Sequence, residues 1–204
     1  MSFRKCILPV AIILFSFRDH AQEPGKSSDP FWDSVYSQQR SIFSQHPTEL
    51  LQYAVKDRTP GKALDIGMGQ GRNAIFLAQE GWDVSGFDPS VEGVRQAKAA
   101  AQKLKLHLNA SVAHEEDFDL GRQKWDLIVI TYVRRLNSED AKRFQQALKP
   151  SGLLVYENNN VGARNELLRA FLGYRILRFE DVDAHTDWHP GKKQQVERLI
   201  CERP

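Results

Sequence analysis

Ala63-Leu64-Asp65-Ile66 runs straight into Gly67-Met68-Gly69-Gln70-Gly71, and a second acid, Asp88, closes the next apolar run. A short strand ending in an acid, a glycine-rich turn, a helix and another acid-terminated strand place a nucleoside-cofactor site at one end of a parallel sheet. The spacing is G-x-G-x-G, with Arg72 standing where dinucleotide enzymes of the G-x-G-x-x-G type carry their last glycine. That difference argues against a nicotinamide enzyme, and so does Asp65, where that fold prefers glycine.

The rest of the chain alternates as such a sheet requires. Strands are expected over 63–66, 83–87, 106–112, 127–130 and 153–156, and helices over 72–80 and 90–104. Ser138 is expected to cap a helix carrying Ala141, Phe144 and Leu148, and Lys149-Pro150-Ser151-Gly152 to turn into the fifth strand. The unbroken run Leu127 to Ile130 suggests burial on both faces. After a short helix near 163–172, the runs Tyr174–Val182 and Val196–Glu202 leave no room for a crossover and should pair as an antiparallel edge hairpin. The expected fold is therefore α/β, a Rossmann-like doubly wound sheet of seven mostly parallel strands.

Before this core, residues 31–60 read as a cap of two short helices divided near Pro47, with Phe31, Trp32, Tyr36 and Phe43 available to cover the sheet. Residues 22–30, rich in Pro, Gly and Ser, read as a linker. Residues 1–21 have the layout of a secretory leader, with Arg4-Lys5 ahead of an apolar run from Cys6 to Phe17. Asp19 sits where a cleavage site wants a small residue, so a harmless extension is the other reading, and localisation stays open between export or membrane tethering and the cytoplasm. With 204 residues, a formal charge of +2 and two cysteines, Cys6 and Cys201, the chain offers one ordinary domain, no basic stripe for nucleic acid and no disulfide framework.

The residue types at the strand ends suit a sulfonium nucleoside. Gly67, Gly69 and Gly71 let the backbone approach a ligand closely, and a helix beginning at Arg72-Asn73 aims its amides at a carboxylate. Asp65 can hold an ammonium, and Asp88, followed by Pro89, can accept from both ribose hydroxyls. Glu116-Asp117-Phe118 offers an acid and a ring for adenine. Residues after the fourth and fifth strands, Thr131-Tyr132-Val133-Arg134-Arg135 and Glu157-Asn158-Asn159-Asn160, should face the reacting group. Tyr132, Glu157 and His46 are the candidate catalytic residues, and His114 a further candidate base; Arg134 and Arg135 either hold an anionic acceptor or are simply solvated. His185 and His189 fall in the expected hairpin linker, before Pro190-Gly191, and no metal site is expected there.

The segment from Gly61 to about Gly152, with the edge hairpin, resembles the class I S-adenosylmethionine-dependent methyltransferases. Ala63 to Asn73 is similar to that family's first motif, Gly86-Phe87-Asp88-Pro89-Ser90 to its second, Glu116-Asp117-Phe118 to its third, and Leu148 to Gly152 to its turn before strand five. The Gly71-Arg72-Asn73 ending is similar to the small-molecule branch with the tellurite-resistance and thiopurine-type enzymes. The resemblance implies S-adenosylmethionine as cofactor, Asp65, Gly67, Asp88 and Asp117 as contacts to it, and methyl transfer to a small acceptor. Two alternatives stay open: a protein or RNA acceptor, and a non-catalytic protein that binds the cofactor. No Asn/Asp-Pro-Pro-aromatic motif follows the fourth strand, which disfavours amino methylation of bases. Oligomeric state is not legible.

Overall fold

The computed structural model describes residues 28–38, 43–186 and 189–204; the leader and most of the linker lie outside them. Two short helices, α1 (Pro30–Tyr36) and α2 (Glu49–Val55), precede β1 (Lys62–Ile66), α3 (Arg72–Gln79), β2 (Asp83–Asp88), α4 (Val91–Lys103), β3 (Asn109–Val112), β4 (Trp125–Thr131), α5 (Ser138–Ala147), β5 (Leu148–Asn158), α6 (Glu166–Ala170), β6 (Arg175–Thr186) and β7 (His189–Glu202). The strands form one sheet in the order β3-β2-β1-β4-β5-β7-β6. β1 to β5 are parallel, while β7 runs antiparallel to both β5 and β6. Chain order reverses between β1 and β4, so the crevice beyond their carboxyl ends is the place for a ligand.

Period-two alternation distributes the central strands between two cores. Leu64, Ile128, Ile130, Leu154 and Tyr156 pack with Phe144 of α5 and Leu167 of α6. Leu127, Val129 and Val155 face the other way, against Leu50, Leu51 and Val55 of α2 and Ala74 and Leu77 of α3. Burial on both faces is what the unbroken run of β4 demands. Among the described residues no helix is long and apolar enough to cross a membrane.

Several boundaries differ from the sequence reading, each for a local reason. The linker ends early: Asp29 caps α1 by accepting from the Phe31 amide, with Pro30 in the first turn. β3 starts at Asn109 rather than 106, because Lys105 is left-handed (φ 58°) and the Leu106 amide still bonds to Ala101 of α4. Asn137, not Ser138, caps α5, in a reciprocal box with Asp140. The hairpin extends to Thr186 and His189, so His185 and His189 are strand residues rather than linker.

Candidate functional site

The turn after β1 is built on left-handed glycines: φ is 65° at Gly67, 54° at Gly69 and 83° at Gly71. A Cβ on Gly69 would lie 2.5 Å from the Tyr36 phenol oxygen, and one on Gly67 2.4 Å from Val133. Gly71 serves packing instead, since a Cβ there would press on Ala97 of α4 at 2.8 Å.

This turn floors a cleft of about 780 Å³, its open mouth included, between β1, β2, β4 and the cap. Asp65, Gly67, Gly69, Arg72, Asn73, Asp88, Pro89, Thr131 and Tyr132 line it, so most of the expected site residues converge. The far wall is aromatic: Trp32 stacks on Tyr36 (5.9 Å between centroids, 26° between planes), and Tyr36 packs on Phe43 at 5.7 Å. Asp33 fixes that wall to the start of α4, accepting from Ser90 Oγ at 2.6 Å and from the Glu92 amide at 3.0 Å. Phe31, by contrast, is exposed.

The two strand-end acids differ in their partners. Asp88 accepts from the Gly69 amide at 2.9 Å and the Ser90 amide at 2.8 Å, and burial raises its pKa to about 6. Asp65 is fully buried, and its Oδ2 has no hydrogen-bond partner among the described residues. Burial raises its pKa to about 7, with Arg72 and the Ala74 amide pulling the other way. A buried carboxylate oxygen with no partner, on a residue that lines the cleft, fits a cationic ligand group. Asn73 links cap to sheet, accepting from the Thr48 amide at 3.0 Å and donating to Thr131 Oγ1 at 3.1 Å.

Glu116, Asp117 and Phe118 are not brought to the cleft wall. The loop after β3 is held aside by Arg143, which donates to the carbonyls of Glu115 and Phe118. The Phe118 ring stacks on Phe87 at 4.1 Å and joins the core, while Glu116 and Asp117 face solvent. Arg134 and Arg135 are not simply solvated either. Arg134 donates to both Glu115 and Asp140, which drives its pKa further up, and Arg135 pairs with Glu166.

Tyr132 is left-handed (φ 58°), with its ring 5.9 Å from the Arg72 guanidinium, and its phenol donates to Glu157 Oε1. The other Glu157 oxygen accepts from Arg198 of β7 at 3.1 Å, and Arg198 also reaches Glu180 of β6 at 3.3 Å. Sequence reasoning missed Arg198. The only signal was cross-strand register, which sets Glu157, Arg198 and Glu180 opposite one another. Glu157 and His46 lie in a second, larger cleft, about 1840 Å³ with its open mouth included, between the cap and the hairpin.

Residues 38–192 match the family profile described as a methyltransferase domain. The probable S-adenosyl-L-methionine-dependent methyltransferase TehB of Haemophilus influenzae Rd is 29% identical over 118 residues, which are 57% of this chain and 38% of that protein. The ubiquinone biosynthesis O-methyltransferase of Pelagibacter ubique is 28% identical over 130 residues, 62% of this chain and 53% of that one. The chain thus spans about two fifths to half of these relatives. Among solved structures, TehB from Haemophilus influenzae superposes with a TM-score of 0.64 at 20% identity, covering 76% of this chain and 61% of that one. Geranyl diphosphate C-methyltransferase from Streptomyces coelicolor A3(2), in complex with Mg2+, geranyl diphosphate and S-adenosyl-L-homocysteine, gives 0.62 at 16% identity, covering 76% and 79%. At these identities the superpositions speak for the fold.

Proposed function

The chain belongs to the methyltransferase-domain family, as an S-adenosylmethionine-dependent enzyme of class I, and from that premise we propose that it methylates a small-molecule acceptor. The observation that carries the reading of the site is Asp65, which lines the cleft beneath the glycine turn and whose Oδ2 is buried without a partner among the described residues. The cofactor's methionine ammonium is the complement of that oxygen. Its carboxylate meets the start of α3 and Arg72, and its ribose hydroxyls meet Asp88. Gly67 and Gly69 keep the floor low, and Trp32 and Tyr36 exclude water from above.

The cofactor, when bound, supplies an activated methyl group for in-line transfer. The protein's part is to hold the acceptor in line, keep the cleft dry and receive any proton the acceptor loses. Small-molecule relatives such as the ubiquinone-pathway O-methyltransferase support a small acceptor. So do the limited length of the cap and the near-neutral charge of +2. Incubation of the full chain with methyl-labelled S-adenosylmethionine, a small-molecule extract and separate protein and RNA fractions tests the proposal. Label is expected in the small-molecule fraction; label confined to protein or RNA contradicts it.

A further inference from the structure

We propose that the second cleft, between residues 43–52 and the β6–β7 hairpin, seats a small polar hydroxyl compound, whose proton leaves through Tyr132 to Glu157. The proposal rests on reading the first cleft as the cofactor site. The two clefts share Phe43 and Ser44 as a common wall. Tyr132 lines the first and Glu157 the second, and the phenol-to-carboxylate hydrogen bond crosses between them.

Two side chains in the second cleft ask for a ligand. Thr48 enters from the cap and Thr186 from the hairpin, only 4% and 3% exposed, and neither hydroxyl has a hydrogen-bond partner among the described residues. Each can donate and accept, as a hydroxyl ligand requires. Buried hydroxyls without partners destabilise the free protein, and a bound polar molecule removes that penalty. Thr48 is also held in place relative to the cofactor cleft, because its amide bonds to Asn73, which in turn bonds to Thr131. Asp183, His185, Lys193 and His46 make most of the remaining lining polar, with Phe43, Pro47 and Ala184 its apolar members. The polar side chains of that lining match a polar hydroxyl compound better than a long hydrocarbon chain.

Glu157 is arranged to receive a proton. Both its oxygens are engaged by donors, Tyr132 on one and Arg198 on the other, which fixes the carboxylate against the phenol. The left-handed backbone at Tyr132, a conformation that a bulky residue adopts at a cost, aims the phenol at Glu157. In the reaction, the acceptor oxygen forms its bond to the methyl carbon as the carbon–sulfur bond breaks and the electron pair returns to sulfur. The acceptor's proton passes to the Tyr132 oxygen while the phenol's own proton passes to Glu157. The products are a methyl ether, a neutral thioether and a protonated Glu157, which then releases its proton to solvent.

The test uses the full chain with catechol, gallate and glucuronate as polar probes, beside a phenol bearing a long isoprenoid tail and a simple thiol. S-adenosylhomocysteine release is the rate readout and calorimetry gives its affinity. Turnover is expected with at least one polar hydroxyl probe. For that probe, Y132F and E157Q should lower kcat by about 10²-fold or more with KM within a few fold. E157Q should leave the affinity for S-adenosylhomocysteine unchanged, and T48V with T186V should raise KM at nearly constant kcat. Independently of turnover, that double variant should raise the Tm of the free protein by a few degrees. Turnover only with the tailed phenol or the thiol, an inert polar panel, a full kcat in E157Q, or an unchanged or lower Tm in the double variant overturns the proposal. An inert panel with intact S-adenosylhomocysteine binding sinks this inference alone; loss of that binding sinks the reading of the cofactor site beneath it.

Discussion

Asp65 provides the sharpest quantitative test of the cofactor site. Its pKa rises from 3.8 to about 7 on folding, chiefly through burial. Three pH units at 1.36 kcal/mol each make the ionised form cost the free protein about 4 kcal/mol. Folded Asp65 keeps its proton to about pH 7, whereas the unfolded chain loses it near pH 4. The protein therefore binds an extra proton across that window, and this contribution to stability is lost as pH rises through it. A cationic ligand beside Oδ2 reverses the balance, since the carboxylate must ionise to meet it. Affinity for S-adenosylhomocysteine should then fall toward a limit of about tenfold per pH unit well below 7, or roughly fifteenfold from pH 7 to 5.5. Asp88, with its pKa at about 6, steepens the fall at the acid end. Asp65→Asn should lose most of the affinity and make the free protein more stable at pH 7.5, by about 2–4 kcal/mol. Calorimetry at pH 5.5, 6.5 and 7.5, in buffers of different ionisation enthalpy, measures both the affinity and the protons released. An affinity flat across that range with no proton release, or full binding by Asp65→Asn, would refute the reasoning.

Three further outcomes follow from the same geometry. Gly69→Val should abolish S-adenosylhomocysteine binding and lower Tm, because its φ of 54° strains a β-branched residue and its Cβ lands 2.5 Å from the Tyr36 oxygen; equilibrium dialysis and a melting curve read both. Asp88→Ala leaves the Gly69 and Ser90 amides without their acceptor and the ribose unpaired, so affinity should drop by about 1–3 kcal/mol, roughly fivefold to 150-fold, in titration. Arg134→Ala breaks the contacts to Glu115 and Asp140. With that side chain 38% exposed, solvent screening holds the loss to about 1–2 kcal/mol in urea unfolding, and cofactor affinity should not change.

The parts of this molecule legible in sequence are those where one residue type answers one backbone demand. Left-handed turns need glycine at 67, 69 and 71, and buried central strands need runs such as Leu127 to Ile130, so the sheet and the cofactor crevice follow from them. What escaped depends on partners distant in sequence. The alternation of Leu106 and Leu108 reads as strand, yet α4 is still ending there through the bond from the Leu106 amide to Ala101. The hairpin outruns its apolar pattern because its ladder continues beyond Val182 through polar register pairs such as Asp183 with Gln195 and His185 with Lys193. Glu116-Asp117-Phe118 has a fitting composition, but Arg143 and the Phe87 ring decide where that loop goes. Thr48, Thr186 and Arg198 belong to no motif, and only the packing of cap against hairpin gives them a common cleft.

The most direct test of the central claim is a crystal structure of the full chain with S-adenosylhomocysteine. The amino nitrogen is expected within about 2.7–3.2 Å of Asp65 Oδ2. Both ribose hydroxyls should lie on Asp88, and the thioether sulfur should face Tyr132. A nucleoside bound elsewhere, or an Asp65 still without a partner in the complex, would contradict that claim.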